Sequence, residues 1–460
     1  MKKIKISALY ILLAALTLNS ACKKEWLDAK PDKSLVVPEK VADYQALLDN
    51  INLMSDYLPT ISMVGDGDYY VNDATYNSLG FIQEKSAYLW APTPEFYGGQ
   101  SSNDWRSAYL RILQTNVVLD GLLNLQGDAT NAEAFNNVKG SALFFRSLDF
   151  YNLSQIYCKP YDVATASTDL GLPLRISSNV NISLARSSLQ QTYDKPINDL
   201  LQALPLLPVT PLFPTRPSKP AAFGLLARVY LSQENYPKAL LYADSCLQLK
   251  SALMDYNELS LTVSSPIARF NKEVVFHANL ASYTSATPGM LEVDPGLYQS
   301  YSTNDLRRDI FFRILSGVLT MKASYGGSAF SAVFGGIATD EMYLIRAECY
   351  ARAGNSGVAM SDLNTLLRNR YRTGTFTDLT APNAEAALSL IVKERRKELC
   401  FRNLRWQDLR RLNKDFRFHI TLQRTVNGQT YTLVPNSPRY VLPLDPIETT
   451  LGGLQQNPRD

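Results

Sequence analysis

The feature that most constrains this chain is the segment Glu394–Leu412, which reads E-R-R-K-E-L-C-F-R-N-L-R-W-Q-D-L-R-R-L. It combines apolar residues at helical spacing with many charges, and it places Arg395 on the apolar face of a predicted helix. An unpaired guanidinium there would be very costly, so Glu398, three residues further on, is its expected partner. The segment holds no nucleophile beside a base. We therefore interpret it as a buried ion-pair lattice around Trp406, not as an active site.

This segment resembles the C-terminal signature of the SusD/RagB family of surface nutrient-binding lipoproteins, E-R-x-x-E-L-x-F-x-x-x-R-W-x-D-L-x-R. The charged and aromatic residues that carry the resemblance, and that we assign structural roles, are Glu394, Arg395, Glu398, Arg405, Trp406 and Asp408. The family usually has Glu-Gly where this chain has Arg402 and Asn403. Asn tolerates a left-handed backbone, so we expect the fold to be kept and one local ion pair to differ.

The amino terminus is typical of a targeting segment. Three early lysines precede an apolar run, Ala8–Leu18, which is too short to cross a bilayer and suits a signal peptide. The run ends in Ser-Ala-Cys, which is similar to a lipoprotein cleavage site. We predict residues 1–21 to be a signal peptide and Cys22 to be lipidated, with simple secretion as the alternative.

Composition and motifs argue against catalysis and nucleic-acid binding. The 460 residues are 46% hydrophobic and 19% charged with a net charge of +3, and no basic block is present. The only two histidines, His277 and His419, are too far apart in the sequence for an H-E-x-x-H zinc site, and phosphate-binding and nucleophile-elbow motifs are missing. Asp66, Asp68 and Asp73 fit solvated turns better than a calcium loop. We predict no enzyme activity, cofactor or metal, while a glycosidase carboxylate pair drawn from distant positions stays open.

Hydrophobic periodicity predicts a mainly α-helical protein with helix pairs similar to tetratricopeptide repeats and loop-rich insertions. Asn427 and Gly428 between two alternating runs predict a small β-hairpin near the C-terminus. The four cysteines after Cys22 are widely spaced and fit small buried side chains. The expected organisation is a single domain over residues 22–460, with a helical part 22–190 that contains aromatic loops 60–104, helix pairs 191–249 and 340–370, a variable loop region 250–339, and the signature and tail 384–460.

The family resemblance extends along the mature chain. A helix that begins at Trp105, the K-E-x-V-F run from Lys272 and the tail Tyr440–Pro458 are similar to family motifs. The resemblance implies a protein held by lipid on the outer face of the outer membrane. It would capture oligosaccharides and pass them to a SusC-like TonB-dependent transporter. Peptide cargo within the same family is one alternative, and a tetratricopeptide-like interaction scaffold without a small ligand is the other.

Oligosaccharide binding needs aromatic rings that face the flat C–H surfaces of sugars and polar groups that reach their hydroxyls. Loop compositions with many aromatics occur over residues 66–105 and 283–334. Our first prediction for the ligand-binding residues places an exposed platform in the earlier region, with the later region as the fallback. For each ring, a core role fits equally well. The predicted residues are Tyr69, Tyr70, Trp90 and Tyr97, with Asp68, Asn72 and Asp73 as polar partners.

Overall fold

The computed structural model describes residues 38–93, 96–125, 131–327 and 333–459. The predicted signal peptide 1–21 and the predicted lipidation at Cys22 lie outside the described residues. Within the described ranges there are seventeen α-helices and eight short strands, so the prediction of a mainly α fold is confirmed. None of the helices in these ranges is both long and apolar enough to span a bilayer.

The helices are numbered in chain order. They are α1 Val41–Leu48, α2 Ile51–Met54, α3 Ile61–Val64, α4 Asp73–Ser78, α5 Ile82–Tyr88, α6 Asn103–Leu123, α7 Ala132–Tyr157, α8 Leu189–Ala203, α9 Lys219–Ser232, α10 Tyr236–Leu249, α11 Pro295–Gln299, α12 Arg307–Phe311, α13 Thr339–Arg352, α14 Ser356–Arg368, α15 Ala384–Glu398, α16 Arg405–Leu412 and α17 Pro446–Thr450.

The strands form four separate two-stranded antiparallel sheets. The pairs are β1 Tyr69–Tyr70 with β3 Glu292–Val293, β2 Val274–Phe276 with β6 Ile337–Ala338, β4 Phe312–Leu315 with β5 Val318–Met321, and β7 Leu422–Val426 with β8 Gln429–Leu433. The last pair is the predicted hairpin, and both turn residues, Asn427 and Gly428, have positive φ as such a turn requires.

Helix α7 lies at the centre of the N-terminal half, and every residue from Gly140 to Tyr157 is buried. A helix that is buried on all sides must pair its charged side chains. Arg146 pairs with Asp199 of α8 at 2.8 Å, and Asp149 pairs with Arg111 of α6 at 2.6 Å. The long helices α6, α7 and α8 are thus held together by buried ion pairs as well as by apolar packing.

The helix pairs α9–α10 and α13–α14 share one turn geometry. The middle residue of each turn is left-handed, Glu234 with φ 57° and Gly354 with φ 85°. The next backbone N–H in each turn donates to the carbonyl of a tyrosine five residues back, Tyr230 or Tyr350, at 2.9 Å. The alanines at matching positions, Ala227 and Ala239 in the first pair and Ala347 and Ala359 in the second, are fully buried. The helix pairs are therefore present, while their kinship to tetratricopeptide repeats stays a prediction.

Two contacts determine where a ligand site can form. The β1–β3 pairing joins the two aromatic loop regions, because β1 belongs to residues 66–105 and β3 to residues 283–334. The turn of the β7–β8 hairpin is fixed to α4, since Asn427 N donates to Asp73 at 2.9 Å and the Asn427 and Asn77 amides pair at 3.1 Å. The two loop regions and the hairpin therefore lie next to one another in the fold.

Candidate ligand-binding cleft

The signature segment forms the buried lattice that the sequence predicts, but with other partners. Arg395 does not pair with Glu398. Its Nε lies 2.8 Å from Asp408 of α16, and its Nη2 lies 3.9 Å from Glu341 of α13. The predicted pair is wrong because spacing along one helix does not show which neighbouring helix lies closer. The Arg395 side chain points toward α16 and α13, where it pairs with the carboxylates of Asp408 and Glu341.

Glu398 instead holds two arginines that come from other segments. It accepts from Arg370 Nε at 2.8 Å and from Arg307 Nη1 at 2.9 Å. Glu394 also binds Arg307, at 2.6 Å, and Trp406 packs its ring against Tyr440 with 4.8 Å between centroids. These side chains are almost fully buried, so within the described residues they join α12, α15 and α16 without forming a solvent-accessible site.

The departure from the family pattern at residues 402 and 403 is accommodated. Asn403 takes the left-handed conformation, φ 59°, as expected. Its amide also binds Ser62 Oγ at 2.8 Å and the Pro59 carbonyl at 2.8 Å. Arg402 forms a buried pair with Asp340 at 2.8 Å. The acid that the family usually has is thus replaced by a cation with an acidic partner of its own.

Three buried carboxylates, Glu273, Asp340 and Glu398, have oxygens within 4.8 Å of one another, as a metal site would require. Burial, together with the charges of the other two acids, raises the pKa of Asp340 to about 7. However, Arg370 binds both glutamates, at 2.9 and 2.8 Å, and Arg402 binds the aspartate. Guanidinium groups hold the positions that a cation would need, so the lattice explains this cluster without an ion.

Three of the four rings in the predicted aromatic platform are buried, so the prediction that they are exposed is wrong. Tyr69, Trp90 and Tyr97 are each at most 5% exposed and cannot offer a ring face to a sugar. Their polar atoms are bound inside the protein, Trp90 Nε1 to the Gly65 carbonyl at 3.0 Å and Tyr97 Oη to the Pro443 carbonyl at 2.8 Å. In the fallback region the rings of Tyr283, Tyr301, Tyr325 and Phe334 are buried, whereas Tyr298 is partly buried. Phe330 lies outside the described residues.

The loop that carries Tyr69 and Tyr70 nevertheless forms one wall of an open cleft of about 480 Å³. The opposite wall is residues 420–425, which enter and form β7, and the floor is made by Arg396 of α15 and Arg405 of α16. Gly67 permits this approach, since its φ is 81° and an added Cβ would lie 2.7 Å from Leu422. Tyr88 of α5 and Asp294 complete the lining, so the cleft is built from segments that are far apart in the sequence.

The chemistry of the cleft is mixed. Tyr70 is 39% exposed at its rim, and burial together with a hydrogen bond to Glu292 raises its pKa to about 12. Arg396 binds Asp68 at 2.9 Å and Asp294 at 3.1 Å, while Asp68 Oδ2 has no partner among the described residues. Asp68 is fully buried, whereas Asp294, Arg396 and Arg405 line the cleft. The cleft thus offers the Tyr70 ring, the Asp294 carboxylate and guanidinium groups within one small volume.

The remaining predicted polar partners lie beside the cleft with structural bonds of their own. Asn72 caps α4 by accepting from Thr75 N at 2.9 Å, and it donates to Glu292 at 3.3 Å. Asp73 accepts from the hairpin turn, as described above. Asp66 and Asp68 are buried, so the expectation that they are solvated turn residues is wrong. Ligand contact by Tyr70, Asp68, Asn72 or Asp73 stays a prediction.

Sequence reasoning missed Arg396, Arg405, Gln423 and Arg424 as cleft residues. They lie more than 300 positions from Tyr69 and Tyr70, and only tertiary structure brings them there. One signal was available in the hairpin. In the alternating run Leu422–Val426, Arg424 shares one strand face with the two apolar end residues, which indicates a charge on the buried face. The structure shows that Arg424 is indeed buried.

Comparisons with solved structures place this fold among SusD-like helical proteins. A SusD superfamily protein from Bacteroides fragilis has a TM-score of 0.72 at 19% identity, covering 90% of this chain and 99% of its own. A SusD-like carbohydrate binding protein from Bacteroides vulgatus has a TM-score of 0.66 at 21% identity, covering 90% and 97%. A laminarin binding SusD-like protein has a TM-score of 0.65 at 17% identity, covering 91% and 98%.

Sequence models give the family itself. The SusD-like model described as "Starch-binding associating with outer membrane" matches residues 25–231, and the SusD/RagB model described as "SusD family" matches residues 339–455. Together these spans cover well over half of the chain. No curated protein matches it. The chain belongs to the SusD/RagB family, as its signature segment predicts.

Proposed function

We propose that this protein is a cell-surface glycan-binding lipoprotein that captures oligosaccharides and delivers them to a SusC-like TonB-dependent transporter. The observation that carries the binding role is the open cleft in which the exposed ring of Tyr70 lies beside the Asp294–Arg396 pair. A sugar ring can lie against the tyrosine while its hydroxyls reach the carboxylate and the guanidinium. The role that we propose for the protein is ligand binding without catalysis.

The size and openness of the cleft support a capture role. A volume of about 480 Å³ lies within the range of small-ligand sites, and it accommodates a few sugar units. One exposed ring contributes roughly 0.5–1.5 kcal/mol beyond the area it buries, so affinities in the micromolar to millimolar range are expected. Weak capture suits a protein that must release its cargo.

Family membership supports the rest of the proposal. Relatives with the same fold are described as carbohydrate binding and laminarin binding, and one matching family model is described as starch-binding and associated with the outer membrane. Anchoring through Cys22 and delivery to a transporter follow from this kinship. Both are proposals that need tests separate from ligand binding.

Isothermal titration of the mature chain with neutral oligosaccharides and with peptides tests the cargo. Tyr70→Ala should weaken glycan binding about tenfold, roughly 1.4 kcal/mol. Its melting temperature should barely change, because the ring is exposed. Tyr57→Ala is the matched control, since Tyr57 is 54% exposed and does not line the cleft. Binding of peptides alone, or unchanged affinity in Tyr70→Ala, would contradict the proposal.

A further inference from the structure

We infer that the ligand of this cleft carries a negative charge, a carboxylate or a sulfate ester on the sugar, and that Arg405 receives it. The inference rests on the proposed glycan-binding role and narrows its substrate class. It follows from the charges that line the cleft and from the hydrogen bonds that they do not make.

Arg405 is the residue from which the inference starts. It lines the cleft and is only 6% exposed, yet its Nε has no hydrogen-bond partner in the described part of the chain. The carboxylate paired with it is that of Asp68, 3.9 Å away, which is too long for a hydrogen bond. That Asp68 oxygen already accepts from Arg396 at 2.9 Å. Arg405 is therefore a nearly buried cation with a distant and shared counter-charge.

Arg424 adds a second guanidinium without an acidic partner among the described residues. It donates to the carbonyls of Val64 and Tyr88, at 2.8 and 2.5 Å, and stacks on the Tyr88 ring at 3.7 Å. Its Nη2 makes no hydrogen bond within those residues. Burial lowers the pKa of both Arg405 and Arg424, as expected for cations that lack close carboxylates.

The acids nearby do not balance these charges. Arg396 forms ion pairs with both Asp68 and Asp294, at 2.9 and 3.1 Å. The charges of Arg405 and Arg424 act to lower the pKa of Asp66. Burial and the charge of Asp68 outweigh them and raise that pKa well above its usual value. Asp408 also lies near Arg405, but it pairs with Arg395 and Arg411, at 2.8 Å each. Within the described residues, neither Arg405 nor Arg424 thus has a carboxylate of its own at hydrogen-bond distance.

A ligand anion would supply the missing counter-charge. An uncompensated buried cation is costly, and guanidinium groups bind carboxylates and sulfates through paired N–H donors that an ester or a hydroxyl cannot match. A neutral sugar would leave the imbalance in place. The cleft should therefore prefer acidic oligosaccharides over neutral ones of the same size.

The test compares ligands that differ only in charge, titrated into the mature chain. One arm uses tetragalacturonide and tetraglucuronide with their methyl esters, and the other uses a sulfated carrageenan oligosaccharide with its desulfated form. We expect at least one charged member to bind tenfold or more tightly than its neutral partner. This preference should shrink between about 0.05 and 0.5 M NaCl, because salt screens the charges. The arm in which the charged ligand binds more tightly than its neutral partner shows whether the cleft recognises a carboxylate or a sulfate.

Arg405→Gln should reduce the charged-to-neutral affinity ratio to about one, whereas Arg106→Gln, which removes an exposed arginine outside the cleft, should leave it unchanged. The inference is overturned if charged and neutral partners bind equally to the wild type, or if the preference survives Arg405→Gln. If Arg405→Gln does not fold, the charged-to-neutral affinity ratio of the wild type and its salt dependence still decide whether the ligand is an anion. If no glycan binds, charged or neutral, the proposed function itself fails.

Discussion

The buried histidine His277 should make stability depend on pH in a defined window. Its side chain is fully buried, and neither ring nitrogen has a hydrogen-bond partner in the described part of the chain. Phe270 and Phe334 meet the ring edge-on, with centroids 4.8 and 5.8 Å away. Burial first, and then the charge of Arg269, lowers the pKa of His277 from 6.5 to about 4.

The sign of the effect follows from where protons bind. The unfolded chain takes up a proton near pH 6.5, whereas the folded chain resists it down to about pH 4. Unfolding is therefore favoured as pH falls through this window, and the loss is complete below it. At pH 4.5, this shift corresponds to about 2.5 kcal/mol of lost unfolding free energy.

Urea denaturation at pH 7 and pH 4.5 measures this contribution. Carboxylates titrate over the same range. The informative quantity is therefore the loss of unfolding free energy between pH 7 and pH 4.5 in the wild type, minus the same loss in His277→Phe. We expect this difference to be about 2.5 kcal/mol. The other histidine, His419, is exposed, and His419→Gln should behave as wild type. Equal pH dependence in wild type and His277→Phe would refute the reasoning.

Two further predictions concern the lattice and the anchor. Arg395→Ala should cost about 3 kcal/mol by removing a partner of the buried Asp408, and a double-mutant cycle should show strong coupling to Asp408 and little to Glu398. Coupling to Glu398 instead would contradict the observed pairing. Cys22→Ala should release the protein from the membrane fraction, because acyl chains are the proposed attachment; unchanged partitioning would argue against lipidation.

Local patterns in the sequence predicted the fold well. The hairpin turn at Asn427 and Gly428 and the left-handed Asn403 depend on backbone preferences that neighbouring residues reveal. Helical spacing likewise predicted that Arg395 is buried. Its partner could not be predicted, because the choice between Glu398 and Asp408 depends on how α15 and α16 pack against each other.

The cleft was only partly predictable for the same reason. Trp90 and Tyr97 lie among turn residues, and composition alone suggested exposed rings. Their burial depends on remote partners, such as the Pro443 carbonyl that binds Tyr97 and the Arg424 guanidinium near Trp90. The prediction found the right loop through Tyr70 but the wrong rings, since local sequence does not reveal which side of a loop the core covers.

The hairpin wall of the cleft has a consequence for how specificity can diversify. Gln423 and Thr425 point outward from β7 toward solvent, while Arg424 between them is packed on Tyr88. The hairpin closes on its own hydrogen bonds and contributes nothing to the Glu398 lattice. Its outward positions can therefore be exchanged without disturbing the buried framework or the hydrogen bonds that fix its turn to α4. New cargo preferences can arise by local change on one ribbon, at little cost in stability.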